Sequence, residues 1–358
     1  MSVAEAPRRE RAAWSPARLD RGERIRVVVM VALLALVLFA LPARMSAYWT
    51  SVATQVAIFS VVSLGLGLLI GRVGMVSLGQ IAVLALGAWV GARLCFATSL
   101  PFPIVMILTG LITMVLGTLV GLPALRLSGL YLALITLMLA GAITVVLTAT
   151  NFPNGGEGFL GHVENDFGNP EVRRPSIAHT DPAYFRYSVV VGVAMFLLAL
   201  AHVRGKAGRA WAAIRQSEPA ALAAGVNITL YKLWAFALAS FMAGVAGCLL
   251  AADAGELFTY QFPTSQNIVL LAVVLMGGVF SLWGAVVAGL LFKLLPAALD
   301  NWGLPADLLT ILFGVGILQV LLTAPAGLVY QFPRDMKKLG GLVVGLFRRS
   351  APARERAS

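Results

Sequence analysis

Side chains that could perform catalysis or hold a metal are few in this sequence and widely spaced. Its three histidines, His162, His179 and His202, stand apart from any Ser, Cys or carboxylate at a spacing that would build a nucleophile and its base. Metal binding by His162 and His179 with a neighbouring Asp or Glu is the one arrangement left open, and the ligand patterning for it is sparse. Cys95 and Cys248 both fall inside apolar segments, which reads as packing rather than as a disulfide framework or a metal cluster. A phosphate-cradling loop needs G-x-x-x-x-G-K-[ST] after a strand. The only Gly-Lys pair, Gly205-Lys206, is followed by Ala207 and preceded five residues earlier by Leu200, so it fails that pattern. No catalytic residue, no metal and no cofactor is expected.

The stretch with the most local character is 208–232, GRAWAAIRQSEPAALAAGVNITLYK. It predicts two short helices. Ser217 suits an N-cap, Glu218 complements the positive helix start, Pro219 is tolerated in the first turn, and Gly225 suits the C-cap after an Ala-rich run. Arg204, Lys206, Arg209, Arg215 and Lys232 surround it. A compact helix of about two turns, projecting between basic flanks, has the shape to fit a groove on a partner protein; the plain alternative is a solvated basic connection.

The elements that carry this stretch are set by composition. The chain has 358 residues, of which 59% are hydrophobic and 12% charged, and its mean hydropathy is +0.88. That is more apolar surface than a soluble fold of this length could bury, so lipid must be the solvent. The apolar residues come in blocks of about 17 to 22, close to the ~20 helical residues that cross a ~30 Å hydrocarbon layer. The expected fold is an all-α polytopic membrane protein of about ten helices, at 26–43, 52–70, 74–97, 102–122, 129–149, 187–203, 233–252, 267–282, 284–299 and 305–323. Glycines interrupt the pattern at 71–80 and at Ser281-Leu-Trp-Gly284, where broken or re-entrant segments are expected. Glycine pairs at Gly67/Gly71, Gly87/Gly91 and Gly117/Gly121 predict close helix approach.

The net charge of +11 sits in tails and short loops and builds no basic face, which argues against nucleic acid. It reads instead as a topology signal. With ten spans, the basic N-terminal tail (1–25), the 204–232 loop and the C-terminal tail (324–358) all fall on the cytoplasmic side, and the acidic 151–186 loop falls outside. The first apolar run follows a charged stretch and lacks a convincing cleavage site, so a retained helix is expected rather than a secretory signal. Residues 335–349 space Met336, Leu339, Leu342, Val343, Leu346 and Phe347 along one face, which predicts an interfacial helix on the inner leaflet. An ion-coupled secondary transporter needs ionisable groups at membrane depth, and the middles of spans two to ten carry no Asp or Glu. Lys293 is the one deep cation, expected to snorkel or to make a polar contact within the bundle.

Several blocks, in order, resemble the M-type permeases of ABC importers for branched-chain amino acids. They are GRVGMVSLGQIAVLALGAW (71–89), LPALRLSGLYLALITLMLA (122–140), NFPNGGEGF (151–159), the stretch 208–247 beginning GRAWAAIRQSEP, LLAVVLMGGVFSLWGAVVAG (270–289) and PAGLVYQ (325–331). The resemblance implies a type II importer permease domain over 26–323. It further implies a second permease (an H-type chain or a second copy), two cytoplasmic ABC ATPases and an external solute-binding protein. On the same resemblance, 204–232 is the coupling loop, with Arg215, Glu218, Ala221 and Gly225 matching the ATPase-contacting part of the pattern. Glu218 and Gly225 lie seven apart, a departure from the general E-A-A-x-x-x-G motif. Ser77, Gln80, Tyr131 and Thr136 are the candidate pathway lining, since polar side chains in apolar spans face a bundle interior or a cavity. Urea or a short amide is the alternative cargo of the same kind of permease.

Overall fold

The computed structural model describes residues 34–122, 129–149 and 174–303, together with residues 32, 172, 308, 311, 312, 314–316, 318, 328 and 329. The chain divides into two units at Met45. In the first, a π-helical turn, Leu36–Ala40, runs into the helix Leu41–Arg44; together they are α1.

The second unit is helical throughout its described elements, with no strand among them. Its helices are α2 (Ala47–Val73), α3 (Gln80–Ala97), α4 (Phe102–Gly121), α5 (Leu130–Ala149), α6 (Asp181–Arg204), α7 (Lys206–Gln216), α8 (Glu218–Ala223), α9 (Ile228–Ala254), α10 (Gln266–Gly277) and α11 (Gly284–Asn301). Local chemistry sets their ends. Prolines occupy the first turns of α4, α6 and α8, where no N–H is missed. Asn227 caps α9 by accepting from the Leu230 N–H at 3.0 Å. Inside the spans, some hydroxyls return to the carbonyl one turn back, as Thr54 does to Thr50 and Thr144 to Ala140, which satisfies those groups within their own helix.

Among the described residues, seven helices are long and apolar enough to cross a membrane: α2 to α6, α9 and α11. α9 is the hub. Its span is 94% buried, and it packs chiefly against α4, α3 and α2. Small residues make that possible. A Cβ on Gly87 of α3 would stand 2.6 Å from the Gly244 Cα of α9, and one on Gly121 of α4 would meet the Phe236 ring at 2.7 Å. Two of the three glycine pairs thus seat α3 and α4 on α9; of the third, Gly67 meets nothing within 4 Å. At the periphery, α4 and α5 expose Ile107, Leu111, Val115, Met138, Val145 and Val146, apolar surface suited to lipid or to another membrane chain.

Several boundaries differ from the sequence reading. The span expected at 187–203 begins at Asp181, because Asp181-Pro182 starts a helix that hydropathy alone discounts, so the last residues of the expected 151–186 loop are helical. The segment expected at 267–282 is helical only over Gln266–Gly277 and stops at Gly278, whose φ is +110°. Twelve residues reach about 18 Å, short of a full crossing. The span expected at 74–97 starts at Gln80, and 74–79 are not helical, as the glycines there predicted. The 1–25 tail, the 324–358 tail apart from 328 and 329, with the expected interfacial helix, most of 151–173 and most of 305–323 lie outside the described residues.

Candidate functional site

The two helices predicted in 208–232 form between α6 and α9. Gly205 alone, in extended conformation, separates α6 from α7. α7 is amphipathic and seats Ala210, Trp211 and Ile214 inward. Trp211 is fully buried and its Nε1–H donates to the Tyr231 carbonyl at 2.8 Å, which pins α7 to the first turn of α9. α8 follows after Ser217, whose hydroxyl accepts from the Ala220 N–H at 3.4 Å. Its end is a Schellman turn: Val226 N–H donates to Ala221 and Gly225 N–H to Leu222, both at 2.9 Å, with Gly225 at φ +79°.

The four expected coupling residues do not share one face. Ala221 is buried, and Gly225 is exposed at the turn. Glu218 is paired with Lys232 of α9 at 2.7 Å, the lysine side chain only 11% exposed. The outward face of α8 is instead formed by Pro219, Ala220, Leu222, Ala223 and Ala224, with Leu222 59% exposed. The sequence reading missed Leu222, although a lone apolar residue beside a buried alanine on a short capped helix was a legible signal.

Arg215 is exposed as a residue, yet its guanidinium is engaged within the chain. Nη1 donates to the Gly71 carbonyl at 2.6 Å, and the group lies 4.4 Å from the centroid of the Phe280 ring. Arg72, in the last turn of α2, donates from Nη2 to the Phe280 carbonyl at 3.2 Å. At Gly71 a Cβ would overlap the Val279 carbonyl, so the end of α2 and the α10–α11 connection meet backbone to backbone.

Beside this contact lies the break at 74–79. Gly74, at φ +85°, ends α2 in the left-handed region. A non-helical stretch inside an apolar bundle must find partners for its N–H groups. Thr136 of α5 accepts from Leu78 N–H at 2.8 Å, Asn267 of α10 accepts from Ile81 N–H at 2.8 Å, and Gln80 donates from Nε2 to the Ala239 carbonyl at 3.0 Å. The structure therefore brings Ser77, Gln80 and Thr136 together, all buried, as the supports of the break. Tyr131 is not among them: it is 72% exposed on the outer face of α5. Asn267 escaped the sequence reading, though a polar residue at the start of an apolar span was the signal for it.

The opposite end of the unit is held by charge. Arg174 pairs with Asp181 at 2.5 Å and with Asp253 at 3.4 Å, and lies 4.8 Å from the Tyr184 ring centroid. The Tyr184 hydroxyl donates to the Leu249 carbonyl at 2.6 Å. The start of α6 is thereby tied to the end of α9. Lys293 stays inside the bundle, with its Nζ 4.5 Å from the Phe59 ring centroid. Among the described residues, no three His, Cys, Asp or Glu side chains gather as a metal site, and both cysteines are free thiols.

Two kinds of likeness to known proteins emerge. The family described as "Branched-chain amino acid transport system / permease component" matches residues 48–321. The high-affinity branched-chain amino acid transport system permease protein LivM of Salmonella typhimurium is 28% identical over 288 residues, covering 75% of this chain and 68% of that protein. The protein of the same name from Escherichia coli is 29% identical over 280 residues, covering 73% of this chain and 66% of that one. The chain thus spans about two thirds of the length of these relatives. No solved structure matches it significantly.

Proposed function

The chain belongs to the family of branched-chain amino acid transport permeases and is a multi-pass membrane protein, and on that premise we propose that it forms half of the translocation pathway of an ATP-driven importer for branched-chain amino acids. The chain catalyses nothing itself; ATP is hydrolysed by two partner ATPases. A second permease, either an H-type chain or a second copy, completes the pathway, and an external solute-binding protein loads it.

The observation that carries this reading is the α7–α8 unit. A short helix capped at both ends, braced through Trp211 and the Glu218–Lys232 pair, presents an outward face of Pro219, Leu222 and small residues. Such a rigid knob suits a groove on a cytoplasmic ATPase. The positive-inside count supports placing this end, with both termini, in the cytoplasm and the Arg174 end outside. Arg215, Glu218, Ala221 and Gly225 shape the knob and Leu222 contacts the ATPase. Ser77, Gln80 and Thr136 hold the break that forms a wall of the pathway, and Tyr131, on the outer face of α5, lines it only where the second permease closes over that face. Closure of the ATPases moves the knob, and the two bundle states differ in which side the pathway opens to. The solute need not bind tightly, because differential stabilisation of those states is what couples the sites.

The test is solute-stimulated ATP hydrolysis by the chain co-purified with the products of its neighbouring genes, with binding protein present. Stimulation by leucine, isoleucine or valine is the expected result. Stimulation by urea alone would keep the class and change the cargo. Transport that follows an ion gradient with no ATPase bound would overturn the reading.

A further inference from the structure

Resting on the coupling reading above, we propose that Arg215 and Phe280 form the joint through which the α7–α8 unit moves the two non-helical breaks of the bundle. Arg215 is then a positioning residue inside the permease rather than a contact for the ATPase. Its guanidinium spends one N–H on the Gly71 carbonyl and its flat face on the Phe280 ring. A planar guanidinium is suited to this double duty because the fork and the stacking surface are fixed relative to each other.

Both partners sit beside points where the backbone can turn. Gly71 lies three residues before Gly74, at φ +85°, and Phe280 lies two residues after Gly278, at φ +110°. A push on a continuous helix travels along it as along a rod, whereas a few residues at the ends of elements absorb rotation. Arg72 holds the Phe280 carbonyl while Arg215 holds its ring, so this one residue bridges α7 and α2. The other non-covalent ties of the α7–α8 unit described above, Trp211 and Glu218, end on α9, the helix that follows it directly. Only Arg215, among those ties, reaches across to elements distant in the chain.

The connection that carries Phe280 is packed less tightly than the α9 seam. A cavity of about 10 Å³, the size of one water, lies against it, lined by Ser63, Gly67, Val279, Ser281 and Leu282. The Ser63 hydroxyl there is buried without a hydrogen-bond partner among the described residues, and no atom comes within 4 Å of a Cβ placed on Gly67. Elsewhere the bundle is close-packed on α9, where displacement meets backbone within about a van der Waals contact.

The experiment compares F280L, F280Y and R215K in the full chain, reconstituted with its ATPases and binding protein, reading ATP hydrolysed and solute delivered per ATP. F280L is expected to bind the ATPases and turn over ATP as the unaltered chain does, yet to deliver about tenfold less solute per ATP, the scale of a typical coupling between two sites. F280Y, which keeps the ring, retains the unaltered ratio. R215K keeps the charge, loses the fork and shows the same low ratio as F280L, and the double variant is no worse than either single. A normal ratio in F280L or R215K, or loss of the ATPases from R215K, overturns the joint. If F280L fails to accumulate, R215K alone decides. An unaltered chain that recruits no ATPase overturns the importer reading itself and is distinguished at the first step.

Discussion

The two ends of the main unit are fastened by different chemistry. Where α6 begins and α9 finishes, one guanidinium is shared by two carboxylates, stacked on a tyrosine and backed by a tyrosine hydroxyl on a carbonyl. Where α6 ends and α9 begins, the fastening is a guanidinium on a neutral carbonyl and a phenylalanine ring, with one lysine–glutamate pair at the side. Asp253 is nearly fully buried, so breaking its pair strands a charge, whereas Arg215 holds a neutral carbonyl and a ring, and its release strands no carboxylate. The first end would strand a charge if opened and the second would not. On the proposed coupling this contrast puts the movement at the α7–α8 end, and substitutions can break it.

The largest effect is expected at the fixed end. Arg174→Ala strands the buried Asp253 carboxylate and should cost about 3 kcal/mol or more, read as a lower thermal midpoint in detergent; an unchanged midpoint would refute the picture of a locked end. Gly225→Pro comes next. Proline needs φ near about −65° where the turn holds +79°, and it removes the N–H that reaches Leu222, a local strain of about 1–3 kcal/mol. The chain should still insert in the membrane while uptake is abolished, and normal uptake would argue against a coupling role for α8. Glu218→Arg sets two cations together at Lys232 and should likewise abolish uptake, with a stability loss of about 1–2 kcal/mol. The smallest effect is Asp181→Asn, on the 44% exposed member of the Arg174 pair, at under about 1 kcal/mol; a loss equal to that of Arg174→Ala would mean that exposure does not rank these bonds.

Much of the candidate site was legible before any coordinate. Ser217, Pro219 and Gly225 mark the ends of α8 because caps act within one turn, and the glycines of 71–80 marked the break for the same reason. Asp181-Pro182 shows the limit: a polar helix start is invisible to hydropathy, so α6 was read six residues short. The roles of Ser77, Gln80 and Thr136 were not legible either. Their polarity said only that they must face inward; that Thr136 and Asn267 would complete the backbone of another segment depends on how α5 and α10 are rotated.

By itself the sequence determined the solvent, the helical class, most spans and the capped helices of the α7–α8 unit, since hydropathy, capping and the needs of buried backbone are all local in the chain. The tertiary structure alone decided what Arg215 and Arg72 hold. Their partners lie 144 and 208 positions away, and no local rule connects them. A guanidinium finds its acceptor only once small residues have let the helices close on α9, so the same arginine that reads as a basic loop residue becomes a contact inside the bundle.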